Sequence, residues 1–165
     1  MKIKKSDIAL IVGVILVILI SFFAFTSNED KIEKPIKIEG TPGVIDIEYS
    51  EYEDMIEDEE AFVVMIVNDG CSYCEAFEPI MTEVADEYQI PVYSINLANL
   101  DSNEYQSLSK SNTYLKRNKW GTPTTLVMKG NTVVDALGGY TAKESLISFF
   151  EENIVLNNET IVEGE

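Results

Sequence analysis

Apolar and polar positions alternate in blocks along the central part of the chain, and the blocks change period. Val44 to Tyr49 alternates apolar and acidic residues, the two-residue period of a half-buried strand. Ser50, with Glu53 three residues on, predicts a capping box opening a helix that carries Tyr52, Met55 and Ile56 on one face. Ala61 to Val67 (AFVVMIV) is continuously apolar, as expected of a strand buried on both faces. Asn68-Asp69-Gly70 turns the chain. From Cys71 to about Tyr88 the apolar residues Phe77, Ile80, Met81, Val84 and Ala85 recur at helical spacing. Pro91 to Leu97 predicts a third strand, and Glu104 to Arg117 a further helix. Thr124–Met128 and Thr132–Leu137 flank Lys129-Gly130-Asn131, a hairpin signal. Ala142 to Ile154, with Leu146, Ile147, Phe149 and Phe150, closes the series as an amphipathic helix. The predicted order β-α-β-α-β-α-β-β-α implies an α/β fold, a central mixed sheet flanked by helices.

The ends of the chain have a different character. Ile8 to Phe25 is 18 residues long with one Ser and no charge, preceded by Lys2, Lys4 and Lys5 and followed by Asn28, Glu29 and Asp30. A helix of that length spans about 27 Å, close to the hydrocarbon thickness of a bilayer. The charge asymmetry predicts a single-pass anchor with a cytoplasmic N-terminus and an extracytoplasmic C-terminal domain. A cleaved signal peptide is the competing reading, weakened by the length of the run and by the poor cleavage site at Ala24-Phe25-Thr26. Ser27 to Gly43, polar and interrupted by Pro35, Pro42 and Gly43, reads as a tether. The expected organisation is a basic N-terminus (1–7), a transmembrane signal anchor (8–26), a linker (27–43), one folded domain (44–156) and an acidic tail (157–165).

Composition then removes whole classes of function. The 165 residues carry 12 Lys+Arg against 29 Asp+Glu, a net charge of −17, no histidine and two cysteines. That charge repels phosphate backbones, so no nucleic-acid partner is expected. Without histidine there is neither Ser-His-Asp nor Cys-His catalysis, and no imidazole metal ligand. What remains is chemistry that needs only two thiols, at Cys71-Ser72-Tyr73-Cys74, between a buried strand and a helix. Cys71 there meets the free N–H groups and positive end of the helix, which favour a thiolate, and Cys74 follows one turn later on the same face. A thiol with a pKa near 8.5 is about 3% thiolate at pH 7, so a depression of one to two units, about 1.4–2.7 kcal/mol, makes it predominantly reactive. A CxxC also occurs in metal knuckles, for which the third and fourth ligands are missing here unless a second copy supplies them. A purely structural disulfide is the other alternative, and it closes too short a loop to add much stability.

With these residues in view, the stretch from Val44 to Ile154 resembles the thioredoxin superfamily. The CxxC follows the apolar strand, and Pro79 stands where that family kinks its active-site helix. Trp120-Gly121-Thr122-Pro123-Thr124-Thr125-Leu126-Val127-Met128-Lys129-Gly130 is similar to its cis-proline segment and following hairpin. Gly138, Gly139, Lys143, Leu146 and Phe149 resemble its C-terminal end. The resemblance implies a thioredoxin-like fold, a cis Pro123 packed beside the cysteines, and backbone hydrogen bonds from Thr122 to an extended substrate. A strand-start proline is the plainer reading of Pro123. Three departures stand out. Met65 replaces the family's buried acid, Gly70 replaces the tryptophan before the motif, and Ser72-Tyr73 replaces Gly-Pro.

Together with the predicted N-terminal anchor, the resemblance implies a membrane-tethered, extracytoplasmic thiol–disulfide oxidoreductase acting on exported protein or peptide thiols and disulfides. Cys71 forms the mixed disulfide, Cys74 resolves it, and Ser72, Tyr73, Thr122 and Pro123 contact the substrate. No cofactor is needed beyond the cysteine pair, but a separate redox partner must reset it. Tyr73 is expected to cover the disulfide as a solvent-facing lid. Asp69, Glu75 and Glu78 ring the site; the plain reading is a solvated rim, and if close they raise the Cys71 pKa and lean toward a reductant. The alternative function is an accessory or binding module, as in bacteriocin secretion, in which peptide docking rather than turnover matters. The acidic face of the first helix (Glu51, Glu53, Asp54, Glu57 to Glu60) reads as solvating. The glycosylation acceptor at Asn158-Glu159-Thr160 carries no weight in a chain that resembles bacterial exported proteins.

Overall fold

The computed structural model describes residues 14–15, 32–117 and 119–156. The apolar run of Ile8–Phe25 lies outside the described residues apart from Val14 and Ile15, as do residues 1–7 and the tail 157–165. Among the described residues no helix is long and apolar enough to cross a membrane.

Residues 34–117 and 119–156 belong to one compact unit. Its elements are β1 (Gly43–Asp46), α1 (Tyr49–Glu57), β2 (Ala61–Val67), α2 (Ser72–Glu87), β3 (Pro91–Asn96), a 3-10 turn (Leu97–Asn99), α3 (Ser102–Leu108), α4 (Thr113–Arg117), β4 (Thr124–Lys129), β5 (Thr132–Gly138) and α5 (Lys143–Asn153). The five strands lie in the order β1-β3-β2-β4-β5. β3 runs parallel to both β1 and β2, whereas β4 is antiparallel to β2 and to β5, so the sheet is mixed. The continuous apolar run of β2 sits at the centre of the sheet. Phe62, Val64 and Ile66 join Tyr49, Tyr52, Ile95, Leu108, Leu115, Leu126 and Met128 in one core cluster beneath α1, α3 and α4. Val63 and Met65 point to the other face, where α2 buries Phe77, Met81, Val84 and Ala85 and α5 buries Leu146 and Phe150. Alternation across a strand thus feeds two cores from one segment.

Four local expectations are corrected. Helix α1 starts at Tyr49 rather than at a Ser50 cap: the Glu48 backbone N–H donates to the Glu51 carboxylate (2.8 Å). The reason is tertiary, since Tyr49 and Tyr52 are both buried and the helix begins where the first of them enters the core. β1 accordingly ends at Asp46, and β3 ends one residue early, where the Asn96 side chain accepts from the Ala98 N–H (3.0 Å) and opens the 3-10 turn. The helix expected over Glu104–Arg117 is two helices. Asp101 caps α3, accepting from the N–H groups of Asn103 (2.7 Å) and Glu104 (2.9 Å). The chain breaks at Ser109–Asn112, where the Asn112 side-chain Oδ1 accepts from the Leu115 N–H (2.9 Å) and the Tyr52 hydroxyl bonds Ser111 Oγ (2.8 Å).

The fourth correction concerns the tether. Residues 34–38 belong to the folded unit, with Ile36 and Ile38 buried. The Ile36 N–H donates to the Asn153 carbonyl (2.9 Å) and the Val155 N–H to the Ile36 carbonyl (2.8 Å), pairing this segment with the end of α5. Lys34 Nζ lies 2.8 Å from Asp135 on β5. Burial raises the Asp135 carboxyl pKa, but Lys34, the Ala136 N–H and Asn153 outweigh it and hold it below its ordinary value.

Candidate active site

Cys71 is the N-cap of α2 and Cys74 lies one turn into it, and the two form a disulfide with a Cα–Cα separation of 5.2 Å. The turn Asn68–Asp69–Gly70 delivers the chain to that cap. Its Cys71 N–H donates to the Asn68 carbonyl (3.2 Å), and Gly70 occupies the left-handed region at φ +69°. The turn is anchored from the neighbouring strand, because Asn96 Nδ2 donates to Asp69 Oδ1 at 2.6 Å.

The two sulfurs have unequal surroundings. The Cys74 backbone N–H donates to Cys71 Sγ (3.2 Å), so a first-turn helix donor already points at that sulfur. Cys71 Sγ also stands 3.4 Å from the carbonyl oxygen of Thr122, within range of donation by its reduced thiol. Cys71 is half-buried, whereas Cys74 retains only 6% of its surface. Cys71 is therefore the more accessible of the two cysteines, and the Cys74 N–H that faces its sulfur in the disulfide favours its thiolate on reduction.

The opposite wall is the loop before β4. The Thr122–Pro123 peptide is cis. Its position is held from three sides: Gly139 N–H donates to the Pro123 carbonyl (2.8 Å), Thr124 Oγ1 to the Gly121 carbonyl (2.6 Å), and Trp120 Nε1 to the Leu115 carbonyl (3.0 Å). Thr122 is half-buried and Pro123 buried, while Ser72 and Tyr73 are exposed, Tyr73 at 69%. Tyr73 thus projects into solvent from the motif. Asp69, Glu75 and Glu78 are all exposed around it.

The structure therefore brings Cys71, Cys74 and Thr122 into one site, with the buried Pro123 following Thr122 and the exposed Ser72 and Tyr73 between the cysteines. Sequence reasoning missed one support and two exposed aromatic residues. Asn96 fixes the turn from 27 residues away, and no spacing rule marks it. Tyr105 and Tyr140 are both exposed, the first against Trp120 (ring centroids 6.4 Å apart) and the second against Phe77 (6.2 Å). Aromatic residues after a helix start and after the paired glycines were the available signal. Among the described residues no group of three or more Cys, Asp and Glu side chains is placed to hold a metal ion.

Three comparisons bear on this geometry. A family model described as Thioredoxin matches residues 43–152. A protein of Brevibacillus choshinensis described as "Disulfide bond formation protein" is 33% identical over 94 residues, covering 57% of this chain and 74% of that protein. Among solved structures, the short form of thioredoxin f from spinach chloroplast is similar at a TM-score of 0.52 and 18% identity, over 69% of this chain and 96% of that one. A mutant thioredoxin from Halobacterium salinarum gives 0.51 and 19%, over 68% and 93%. At such identities the structural likeness speaks for the fold.

Proposed function

Because this chain belongs to the thioredoxin family and is a thiol–disulfide oxidoreductase carrying its dithiol at Cys71 and Cys74, we propose that it serves exported proteins or peptides from the outer face of a membrane. The N-terminal segment is the anchor. Its support is the uncharged run from Ile8 to Phe25 with three lysines before it and acidic residues after it, an orientation that carries the redox domain out of the cytoplasm. The name of the Brevibacillus relative, which speaks of disulfide bond formation, agrees with work on protein substrates in such a compartment.

The observation that carries the mechanism is the unequal exposure of the two cysteines across one helix turn. In the reducing direction, the Cys71 thiolate attacks a substrate disulfide, forming a mixed disulfide and releasing one substrate thiolate. Cys74, deprotonated, then attacks Cys71 Sγ, closing the internal disulfide and releasing the second substrate sulfur with its electron pair. The oxidising direction is the reverse, a substrate thiolate attacking Cys71 Sγ. Thr122 and Pro123 hold the extended substrate beside Cys71, and Ser72 and Tyr73 contact it from the rim. A separate redox partner resets the pair.

Two measurements test this. Thiol labelling of intact cells with a membrane-impermeant reagent, after reduction, is expected to modify Cys71; labelling only after lysis refutes the outward orientation. The reduction potential of the full-length chain decides direction. A value near −120 mV, as in strong periplasmic oxidants, makes it a disulfide-forming enzyme, and one near −270 mV, the figure for thioredoxin itself, makes it a reductant. A pair that exchanges with no small thiol points instead to peptide docking.

A further inference from the structure

The face of the sheet on which α2 packs carries a buried hydroxyl without a hydrogen-bond partner, Thr125 Oγ1. Register and alternation define that surface. Leu126 and Met128 of β4 belong to the core beneath α1, so Thr125 and Val127 face the other way, toward α2. Thr125 pairs with Met65 of β2, and Met65 with Ser94 of β3. The inward positions here are Val63, Met65, Val92, Ser94, Thr125 and Val127, none of them charged. Thr125 is 1% exposed, and its Oγ1 is buried without a hydrogen-bond partner. It stands at the site end of β4, three residues after the Thr122 whose carbonyl touches Cys71 Sγ. Cys74 is buried on the same side at the same end, in the first turn of α2. A buried hydroxyl without a partner calls for an explanation, and a disulfide sulfur is a poor acceptor.

We propose that the Thr125 hydroxyl becomes the hydrogen-bond donor to the Cys74 sulfur whenever the Cys71–Cys74 bond is open, in the dithiol and in the mixed disulfide alike. The proposal rests on the oxidoreductase reading of the site. Opening the bond leaves Cys74 as a thiol or thiolate, and a thiolate accepts a charge-assisted bond. In the resolving step the Cys74 proton has gone to solvent. The thiolate attacks Cys71 Sγ, the Cys71–substrate bond breaks, and the electron pair leaves on the substrate sulfur, which is protonated from water. Thr125 transfers no proton. It stabilises the charge on Cys74 before attack, which raises the population of thiolate, and it stabilises the reduced protein over the disulfide.

The test compares the full-length wild type with Thr125→Val, which keeps the shape and removes the O–H, and Thr125→Ser, which keeps the O–H. Each is equilibrated in glutathione redox buffers, and each is followed through resolution of a glutathione mixed disulfide at Cys71. Thr125→Val is expected to move the equilibrium about tenfold toward the internal disulfide, equivalent to about 30 mV more negative, and to slow resolution about threefold, because the remaining thiolate is the better nucleophile. Thr125→Ser is expected within about twofold of wild type in both. Wild-type values for Thr125→Val overturn the proposal, and so does a serine variant as impaired as valine, which would make the effect one of packing. A wild type that does not exchange with glutathione at all overturns the oxidoreductase reading together with this one.

Discussion

The approach to Cys71 depends on one backbone conformation, and glycine substitution isolates its energy. Gly70 sits at φ +69°, and a Cβ built there meets no atom within 4 Å. Replacing it by alanine therefore adds no clash, only the intrinsic penalty of a left-handed non-glycine residue, about 1–2 kcal/mol. Alanine also narrows the unfolded ensemble, which returns about 0.4–1 kcal/mol. The net expectation for Gly70→Ala is a loss of about 1 kcal/mol, or about 4 °C in melting temperature for a domain of this size. Gly121, across the site, is the internal control. Its Cβ also meets nothing within 4 Å, but its φ lies outside the left-handed region. Gly121→Ala should be neutral or stabilising by up to about 1 kcal/mol. Gly70→Asn should lose less than Gly70→Ala, because asparagine tolerates the left-handed region. Urea unfolding of the oxidised full chain, followed by Trp120 fluorescence, measures all three, with an unchanged m-value expected. Equal stabilities for Gly70→Ala and Gly121→Ala refute the conformational argument. A loss above about 3 kcal/mol at Gly70 refutes the open space around it, since the backbone penalty alone does not reach that size.

Other expectations concern the sulfurs, the core and alkaline pH. Cys74→Ser should leave substrate or glutathione attached to Cys71 as a long-lived adduct visible by mass, whereas Cys71→Ser should form no adduct of this kind; an adduct on Cys74 would reverse the assignment of roles. Phe77→Ala, at a fully buried position under α2 that also supports the Tyr140 ring, should cost about 3–5 kcal/mol in denaturant unfolding. Burial first, and then Glu53, push the Tyr49 hydroxyl up to about 12, and burial also raises Tyr52 and Tyr93. These phenols ionise more readily in the unfolded chain, so their contribution is complete below about pH 10 and is lost as pH rises toward 12. Unfolding as a function of pH should show that decline, and Tyr49→Phe should make it shallower; an unchanged slope would remove Tyr49 from the account.

Much of the site was legible because its chemistry is local. Cys71 and Cys74 are one helix turn apart, the apolar run before them makes a central strand, and a tight turn joins the two. Each of these follows from side-chain period and backbone rules that act over a few residues. The α/β class was legible for the same reason, since β2, α2, the β4–β5 hairpin and α5 all have strong periodic signals.

The tertiary structure decided whatever depended on a distant partner. Burial of Tyr49 and Tyr52 moved the start of α1 past a better local cap, and the bonds of Tyr52 and Asn112 near Ser111 accompany the break between α3 and α4. A tether by composition became a packed segment because Ile36 pairs with the backbone at the end of α5. Thr125 is another case. Its place in the sequence marks only a strand residue after a proline, and alternation along β4, in register with Met65, puts its side chain on the face where α2 packs. Local propensities amount to tenths of a kcal/mol per residue, whereas burying one aromatic ring or satisfying one interior polar group is worth about 1–3 kcal/mol. Where the two compete the long-range term wins, and a single sequence read from one end to the other does not display it.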